Sequence, residues 1–259
     1  MAWVTGVYLA YLFLPILLLV VGSFGDVWLN SMLPSGFTGR WYEAVYTDGS
    51  FQRAFWVSLR VCAATCVINA LIGLPLAYAI YGAASRGVRA AARILYLLPV
   101  AVPPIVLAFG FVLVFSSDTL PFLGSAPVLI GGHVVLTLPY LLQTLVGDMR
   151  HLRLAELEVA AESLGAGPLR TLIEIVLPSL RHSLASGLIM VAALSIGEFQ
   201  LSNLVAGFLT RPYPVVLLQA FYGATGFACA ATVILLALAL TASAAGALTA
   251  HRATGRHAQ

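Results

Sequence analysis

The segment EVAAESLGAGPLRTLIEIVLP, residues 158–178, is a polar stretch punctuated by glycine and proline between segments that are almost entirely apolar. A membrane-embedded protein that is driven by a soluble partner needs one projection of defined shape, and this segment is the only long candidate in the sequence. Glutamates on the predicted first helix leave one narrow apolar stripe for contact with a partner. The stripe has the spacing i, i+3, i+4, i+7 and consists of Leu157, Ala160, Ala161 and Leu164.

Glycine and proline set the predicted shape of this segment. Gly165 is expected to adopt the left-handed conformation that ends the first helix, and Pro168 suits the first turn of a second helix over 168–177. Pro178 is expected to close that helix because it has no backbone N–H to donate. The sequence therefore predicts a helix, a tight turn and a second helix.

The composition is that of a membrane protein. Hydrophobic residues make up 61% of the 259 residues and charged residues 9%, with a mean hydropathy of +0.98. The basic residues are all arginine, which excludes a Walker A lysine and a Schiff-base lysine. Cys62, Cys66 and Cys229 lie in apolar stretches, so we expect them to pack and not to bind a metal. No catalytic residue is predicted.

Six stretches are long and apolar enough to cross a bilayer, which takes about 20 residues. They predict an all-α membrane protein with one transmembrane domain over 1–259 and a polar segment at 148–182 between the fourth and fifth spans. The first stretch lacks a basic leader and a small-residue cleavage site, which predicts a retained span. The predicted spans cover residues 4–22, 54–81, 94–116, 127–147, 183–206 and 226–249.

The distribution of arginine predicts the orientation. Six spans place both termini on one side, together with the links at 82–93 and 148–182. These links and the C-terminal tail hold nine arginines, whereas the opposite loops hold three. Because arginine-rich loops stay in the cytoplasm, both termini and the 158–178 segment are predicted to be cytoplasmic. The aromatic-rich loop at 23–53 is then expected to lie along the outer interface.

The 158–178 pattern resembles the EAA motif of the permease subunits of bacterial ABC importers. The match includes the nine residues between the glycine and the Ile-x-Leu-Pro ending, and its position before the fifth of six spans. Residues 51–80 and the stretch LPVAVPPIVLAFG at 98–110 resemble the second and third spans of the same superfamily, so most of the chain is covered. The motif positions are Glu158, Ala160, Ala161, Gly165, Ile175, Leu177 and Pro178.

The resemblance implies the type I importer permease fold, in which the motif forms a coupling helix on a cytoplasmic ATPase. These motif residues and Leu164 would then contact the ATPase, with Gly165 the least tolerant of substitution. The chain would form half of a solute pathway and hold no cofactor, since the ATPase binds ATP and magnesium. The implied setting is the bacterial inner membrane, without nucleic acid. The implied partners are two ATPase subunits, a second and preferably different permease, an extracytoplasmic solute-binding protein and membrane lipid.

Ionisable side chains within spans are costly and suggest function. Glu198 falls near the middle of the fifth predicted span, in a polar stripe that faces something other than lipid. Two interpretations stay open at this point: a hydrogen bond between helices that fixes their packing, or a role along the solute pathway. The other members of the stripe, at helical spacing, are Ser195, Ser202 and Asn203.

Two further polar residues in the spans have simpler predicted roles. Arg60 lies early in the second span, where its long stem can reach the outer interface. His133 in the fourth span is expected to be a packed or pore-lining neutral imidazole, since no other metal-binding group neighbours it. Prolines at 75, 99, 103, 104 and 139 are expected to kink spans, which is compatible with a gate and equally with curved packing.

The expected cargo is a small polar solute. The stretch SIGEFQLSNLVAG at 195–207 resembles the polyamine, phosphonate, ferric-iron, molybdate and sulfate branches of these importers, and RPYPVVLLQAFY at 211–222 looks most like the polyamine and organophosphonate branches. These resemblances imply a polyamine or organophosphonate, with ferric iron or an oxyanion as alternatives. A carboxylate would suit a cationic or zwitterionic cargo, but one carboxylate cannot fix specificity, because in this family the soluble binding protein does most of the selecting. An ion-coupled secondary transporter would show repeated halves and an intramembrane enzyme a catalytic pair. Neither rival explains the 158–178 pattern.

Overall fold

A computed structural model of the chain describes residues 2–27 and 34–254, with side chains described over 3–27 and 34–241. Within these residues the chain is helical almost throughout. A π-helical turn, Leu172–Val176, joins α8 to α9. The helices are α1 (Ala2–Ser23), α2 (Arg40–Thr47), α3 (Gly49–Gly82), α4 (Arg86–Ala101), α5 (Pro104–Phe115), α6 (Ala126–His151), α7 (Leu154–Ser163), α8 (Pro168–Thr171), α9 (Leu177–Gly197), α10 (Gln200–Val205), α11 (Tyr213–Ala220) and α12 (Thr225–Thr254).

Several of these helices are long and apolar enough to cross a membrane. They are α1, α3, α6 and the continuous helical run Pro168–Gly197, and the bent pair α4 and α5 makes a fifth candidate. The part of α12 with described side chains, Thr225–Thr241, is a shorter apolar helix. The protein is therefore a multi-pass membrane protein, and the count of six spans stays a prediction. The remainder of the predicted sixth span, at 242–249, has side chains outside the described residues.

The predicted third span at 94–116 overlaps the bent pair α4 and α5, and the kink expected at its prolines is confirmed. α4 and α5 meet at an angle of 96° on either side of Val102 and Pro103. Proline lacks an N–H, so Pro103 and Pro104 cannot donate the usual helical hydrogen bonds to the carbonyls four residues earlier. Hydropathy is continuous through this stretch, so the kink follows from the prolines and not from the apolar pattern.

The fifth predicted span at 183–206 also differs from the structure. The helical run begins at Pro168 and ends at Gly197, and α10 begins after a break of two residues. Pro178 does not close a helix, contrary to the prediction. The π-helical turn before it shifts the hydrogen-bonding pattern, and Pro178 lies in the first turn of α9, where a missing donor is tolerated.

The predicted outer loop at 23–53 contains a helix of its own, α2, and the first residues of α3. The Asp48 carboxylate caps α3, because its Oδ1 accepts hydrogen bonds from the N–H groups of Ser50 at 2.8 Å and Phe51 at 3.0 Å. α3 therefore starts several residues before the predicted second span.

The core lies where α3, α6 and α9 meet around the fully buried Leu141. A Cβ atom built on Gly73 of α3 would lie 2.8 Å from Leu141 Cδ2, and one on Gly187 of α9 would lie 2.5 Å from Leu141 Cδ1. The two glycines therefore allow these three helices to approach closely, as small residues do in membrane helix packing.

The cysteines pack as predicted. Cys62 and Cys66 of α3 face α9, with their Sγ atoms each 3.8 Å from a backbone oxygen of that helix. All three cysteines are free thiols, and Cys62 is buried. They act as small residues at the helix interface.

Candidate functional site

An open cleft of about 540 Å³ lies where two helices are interrupted. The end of α4 and the start of α5 form part of its wall, the end of α9 forms another part, and α6 runs past both. Irregular backbone at membrane depth is tolerated where it is buried or lines a water-filled cavity. The polar groups that line the cleft include His133, Thr137, Tyr140, Glu198 and Gln200.

Glu198 interrupts the fifth span and caps the helix that follows. Its Oε1 accepts a hydrogen bond from the Leu201 N–H at 2.7 Å, and its Oε2 accepts from the Ser202 N–H at 2.9 Å and the Ser202 hydroxyl at 2.6 Å. A carboxylate is well suited to this place, because the first N–H groups of a helix have no partner inside it. The side chain is 10% exposed and lines the cleft. Glu198 thus has a packing role within its own span and a position at the cleft.

His133 of α6 bridges the two sides of this break. Its Nδ1 lies 2.9 Å from Ser195 Oγ on α9, and its Nε2 lies 2.9 Å from Ser202 Oγ on α10. The ring is 1% exposed. Its Nε2 is 3.8 Å from Glu198 Oε2, which is too far for a hydrogen bond, so the ring reaches the carboxylate through Ser202. Of the two predicted alternatives, a packed or a pore-lining imidazole, the packing is confirmed and the pore-lining role stays a prediction.

The polar contacts continue to α3 through two residues that sequence reasoning missed. Thr137 donates to the His133 carbonyl at 2.7 Å, and the Asn69 amide donates to Thr137 Oγ1 at 2.8 Å. Both side chains are buried. The spacing of His133 and Thr137 could have indicated Thr137, because it puts two polar groups one turn apart on the same face of α6.

Two of the predicted polar residues lie outside this group. Asn203 follows Ser202 in α10, but its side chain is exposed. Successive helical residues point about 100° apart, so Asn203 cannot share the buried face of its neighbour. Arg60 is exposed on α3, on the surface that also bears Trp56 and Leu59.

The 158–178 segment has the predicted turn. Gly165 has φ +81°, the left-handed conformation expected of it. Its N–H bonds to the Glu162 carbonyl at 2.9 Å, and the Ala166 N–H bonds to the Ala161 carbonyl at 3.0 Å. These two bonds form a Schellman motif that ends α7, and Pro168 begins the next helix as predicted.

Three of the four residues of the predicted apolar stripe are exposed, namely Leu157, Ala160 and Leu164, and the fourth is buried. Ala161 is 5% exposed and Leu154 is fully buried, and this face of α7 packs on the chain's own core. Leu164 is 87% exposed because α7 ends before it, and Val159 is 67% exposed on another face. Ala161 therefore faces the protein itself, and contact of the other three stripe residues with a partner stays a prediction.

The remaining motif residues are distributed along the segment. Glu158 is half-buried on α7 and Ala160 is exposed. Ile175 is half-buried in the π-helical turn, and Leu177 and Pro178 are exposed at the start of α9. The motif residues therefore differ in exposure, and their contact with an ATPase stays a prediction.

A hydrogen bond ties α7 to the transmembrane helices. The Tyr81 hydroxyl, near the end of α3, accepts from the Ala155 N–H at 3.0 Å. The residue before α7, Arg153, has φ +48°, which turns the chain sharply after α6. Leu154 then packs with Met149, Val176 and other residues of the α3, α6 and α9 core. The orientation of α7 is therefore fixed from several sides.

The helical arrangement is that of ABC importer permeases. A bacterial alginate ABC transporter, solved in complex with an alginate pentasaccharide-bound periplasmic protein, matches with a TM-score of 0.79 over 98% of this chain and 93% of that chain, at 18% identity. The methionine ABC transporter MetNI in an inward-facing conformation matches with a TM-score of 0.64 over 77% of this chain and 94% of that chain, at 16% identity. At these identities the likeness concerns the fold.

Sequence comparison establishes the family. The family model of the inner membrane component of binding-protein-dependent transport systems matches residues 69–254, and the chain belongs to this family. It is similar to the spermidine/putrescine permease PotC of Escherichia coli K12 (29% identity; 79% of this chain, 75% of the relative), the molybdenum permease ModB of Mycobacterium tuberculosis H37Rv (31%; 67% and 70%) and the putative 2-aminoethylphosphonate permease PhnV of Salmonella typhimurium LT2 (27%; 90% and 87%). The protein is a permease subunit of an ABC importer.

Proposed function

We propose that this permease subunit forms half of the pathway for a small solute that carries an ammonium group, and that the solute passes the cleft beside Glu198. One observation carries the proposal: among the described residues that line the cleft, Glu198 is the only acidic or basic side chain apart from His133. A carboxylate with low-dielectric walls attracts positive charge more strongly than it would in water. The cleft is therefore suited to a cation.

The backbone around the cleft adds hydrogen-bond acceptors. α4 and α9 both end there, and a helix C-terminus carries a partial negative charge of about half an electron together with carbonyls that lack a helical partner. The prolines after α4 leave the carbonyls of Pro99 and Val100, both at the cleft, without donors from the next turn. These groups favour a cargo that donates hydrogen bonds.

Glu198 retains capacity to bind such a cargo. A carboxylate accepts about four hydrogen bonds, and the cap on α10 uses three of them. One acceptor position is left for a donor from the cleft. The cap also holds the carboxylate in one orientation, so binding costs little ordering of the side chain.

The relatives support a cargo with an amine. The names of PotC and PhnV give spermidine, putrescine and 2-aminoethylphosphonate, which all contain an amino group. The similarity to ModB, a molybdenum permease, favours an oxyanion as the second candidate, and ferric iron remains the third. The single acidic side chain and the carbonyl acceptors of the cleft disfavour an oxyanion that has no ammonium group, because like charges repel.

We further propose that α7 and the turn after it are the coupling helix. Leu164 and Val159 are exposed apolar side chains on a polar segment, and such groups mark contact with another protein. The partner is an ATPase subunit that binds ATP and magnesium, on the cytoplasmic side that the arginines predict for this segment and for both termini. A second, different permease completes the pathway, and an extracytoplasmic binding protein delivers the solute.

The experiment is to purify the complex with its binding protein, reconstitute it in nanodiscs and measure ATP turnover with each solute class. Spermidine, putrescine and 2-aminoethylphosphonate are compared with molybdate, sulfate and ferric iron. We expect stimulation by at least one amine and none by the oxyanions. Stimulation by molybdate or sulfate alone would replace the proposal with the oxyanion alternative.

A further inference from the structure

We infer that His133 is a positioning residue that clamps the interrupted fifth span and so holds Glu198 at the cleft. The imidazole joins the last turn of α9 to the first turn of α10 through Ser195 and Ser202. The inference rests on the proposed function only in giving Glu198 a part in transport. The clamp itself is a property of the fold and can be measured without any cargo.

The backbone alone holds the break weakly. The Glu198 N–H bonds to the Ser195 carbonyl at 3.4 Å, which is long for a bond of this type. Glu198 itself has an extended backbone, with ψ 121°. The two contacts of His133 at 2.9 Å are shorter, and they reach the serines on both sides of the break. The side chain from α6 therefore supplies a restraint that the interrupted helix lacks.

The hydrogen bonds around the imidazole have only one consistent direction while it is neutral. Ser202 donates its hydroxyl proton to Glu198 Oε2, so its oxygen must accept from the His133 Nε2–H. The Nδ1 atom of this tautomer is an acceptor and receives the Ser195 hydroxyl. The Ser195 hydroxyl thus donates to His133, His133 donates to Ser202, and Ser202 donates to the Glu198 carboxylate.

The clamp has a rigid base on α6. Gly132 lets the Leu201 side chain of α10 approach so closely that an added Cβ would lie 2.7 Å from it. The far end of α10 is tied as well, because the Gly124 N–H bonds to the Val205 carbonyl at 3.1 Å. α10 is thus held beside α6 at Leu201 and at its far end, and His133 adds the contact that joins its first turn to α9.

Removal of the imidazole would leave Ser195 without its partner on α6 and remove a donor to Ser202, both of which are buried. A buried polar group that loses its partner is costly, so the ends of α9 and α10 would rearrange. The carboxylate would move with α10 because it is bonded to that helix and not to α6. We therefore expect the distance between the ends of α9 and α10 to vary in this variant.

The test measures the distance across the break by pulsed electron paramagnetic resonance. Spin labels are attached at Met190→Cys on α9 and Asn203→Cys on α10, both exposed positions, in the full chain within its purified complex, with the three native cysteines replaced. The two sites lie on opposite sides of the break between α9 and α10. We expect a narrow distance distribution in the parent protein and a shifted or broadened one in His133→Leu.

His133→Gln is the matched variant, because its amide both donates and accepts hydrogen bonds. It should keep the narrow distribution, and its cargo-stimulated ATP turnover should stay within about threefold of the parent, whereas His133→Leu should lose about tenfold. Should the His133→Leu complex fail to assemble, Ser195→Ala breaks one half of the clamp and should broaden the distribution. An unchanged distribution in His133→Leu or in Ser195→Ala would overturn the inference. Failure of the cargo screen with a broadened distribution would instead overturn the proposed function alone.

Discussion

At the residue scale, Glu198 combines two demands on one carboxylate. It satisfies the start of α10 with both oxygens and still faces the cleft. A group in this place is structural and accessible at once, so a substitution must be chosen to separate the two effects. Glu198→Gln removes the charge and one of the two acceptor oxygens of the cap, whereas Glu198→Asp keeps both and shortens the side chain, so the two variants are compared.

Glu198→Gln should lower cargo-stimulated ATP turnover by about 10- to 100-fold. The substitution keeps the size of the side chain but removes the charge, and hydrogen bonds to charged groups contribute about 1.5–3 kcal/mol. Glu198→Asp keeps the charge and should retain more activity than Glu198→Gln. The measurement is ATP turnover at saturating cargo-loaded binding protein. Full ATP turnover in Glu198→Gln would show that the carboxylate has no part in the solute pathway.

Gly165 offers a test of backbone conformation alone, because a side chain at this position meets no steric clash. A Cβ atom at this position would meet nothing within 4 Å, so only its φ of +81° opposes a side chain. The left-handed conformation costs a residue other than glycine about 1–2 kcal/mol, and asparagine tolerates it best. Gly165→Val should therefore reduce ATPase copurification and cargo-stimulated turnover several-fold, whereas Gly165→Asn should be milder.

Membrane insertion should persist in both Gly165 variants, since the turn lies outside the spans. The amount of permease in the membrane fraction is the control for this. Equal ATPase copurification in Gly165→Val and the parent would show that the turn is not part of the coupling contact.

At the element scale, packing depends on where glycines face a neighbouring helix. Gly187 of α9 lies against Leu141 of α6, and a Cβ there would come within 2.5 Å of it. Leu141 is fully buried and also touches Gly73, so it cannot move aside. Overpacking of this kind costs about 1–3 kcal/mol.

Gly187→Ala should therefore lower the unfolding temperature of the purified complex. Gly147 of α6 is the matched control, because it is also helical and an added Cβ would meet nothing within 4 Å. Gly147→Ala should leave the temperature unchanged or raise it, since alanine is the better helix former. The measurement is thermal unfolding in detergent. Equal shifts in the two variants would refute close packing of α6 on α9.

The ends and starts of helices could be predicted from sequence where the conformation depends on a single residue type. Gly165 and Pro168 ended one helix and began the next as expected, because a left-handed cap and a fixed proline φ are local properties. Pro178 failed the same reasoning. Its effect depends on the hydrogen bonds of the preceding π-helical turn, and the residue pattern carries no sign of that turn.

The cleft could be predicted only in part. Glu198, Ser195 and Ser202 were visible as a polar stripe, but the break that brings the carboxylate to the cleft was not, because hydropathy is blind to a change of helix direction. The bridge to His133 joins residues 62 and 69 positions apart. Such a contact depends on the packing of α6 against α9, which a single sequence does not encode locally.

At the scale of the whole molecule, the proposed coupling helix and the cleft belong to one packed body. α7 is bonded to α3 through Tyr81, and Leu154 packs into the core that α3, α6 and α9 share. The same three helices carry Asn69, His133 and Ser195 of the cleft region. Under the proposed function, a displacement of α7 by a bound ATPase would be transmitted through this core to α6 and α9, which line the cleft.

This arrangement leads to a prediction about the energy source of uptake. Vesicles that contain the whole complex and its binding protein should accumulate cargo when ATP is present on the side of the proposed coupling helix. A protonophore should leave the rate of uptake unchanged within about twofold. An imposed proton or sodium gradient without ATP should give no accumulation. The physical reason is that the exposed apolar side chains of Val159 and Leu164 provide a contact for an ATPase, and a secondary transporter has no use for such a contact.

Initial rates of uptake with radiolabelled spermidine check the prediction, with Gly165→Val as the uncoupled control. Uptake driven by an ion gradient alone would assign the protein to the secondary transporters in spite of its fold, because the driving force, and not the arrangement of helices, defines the transport class.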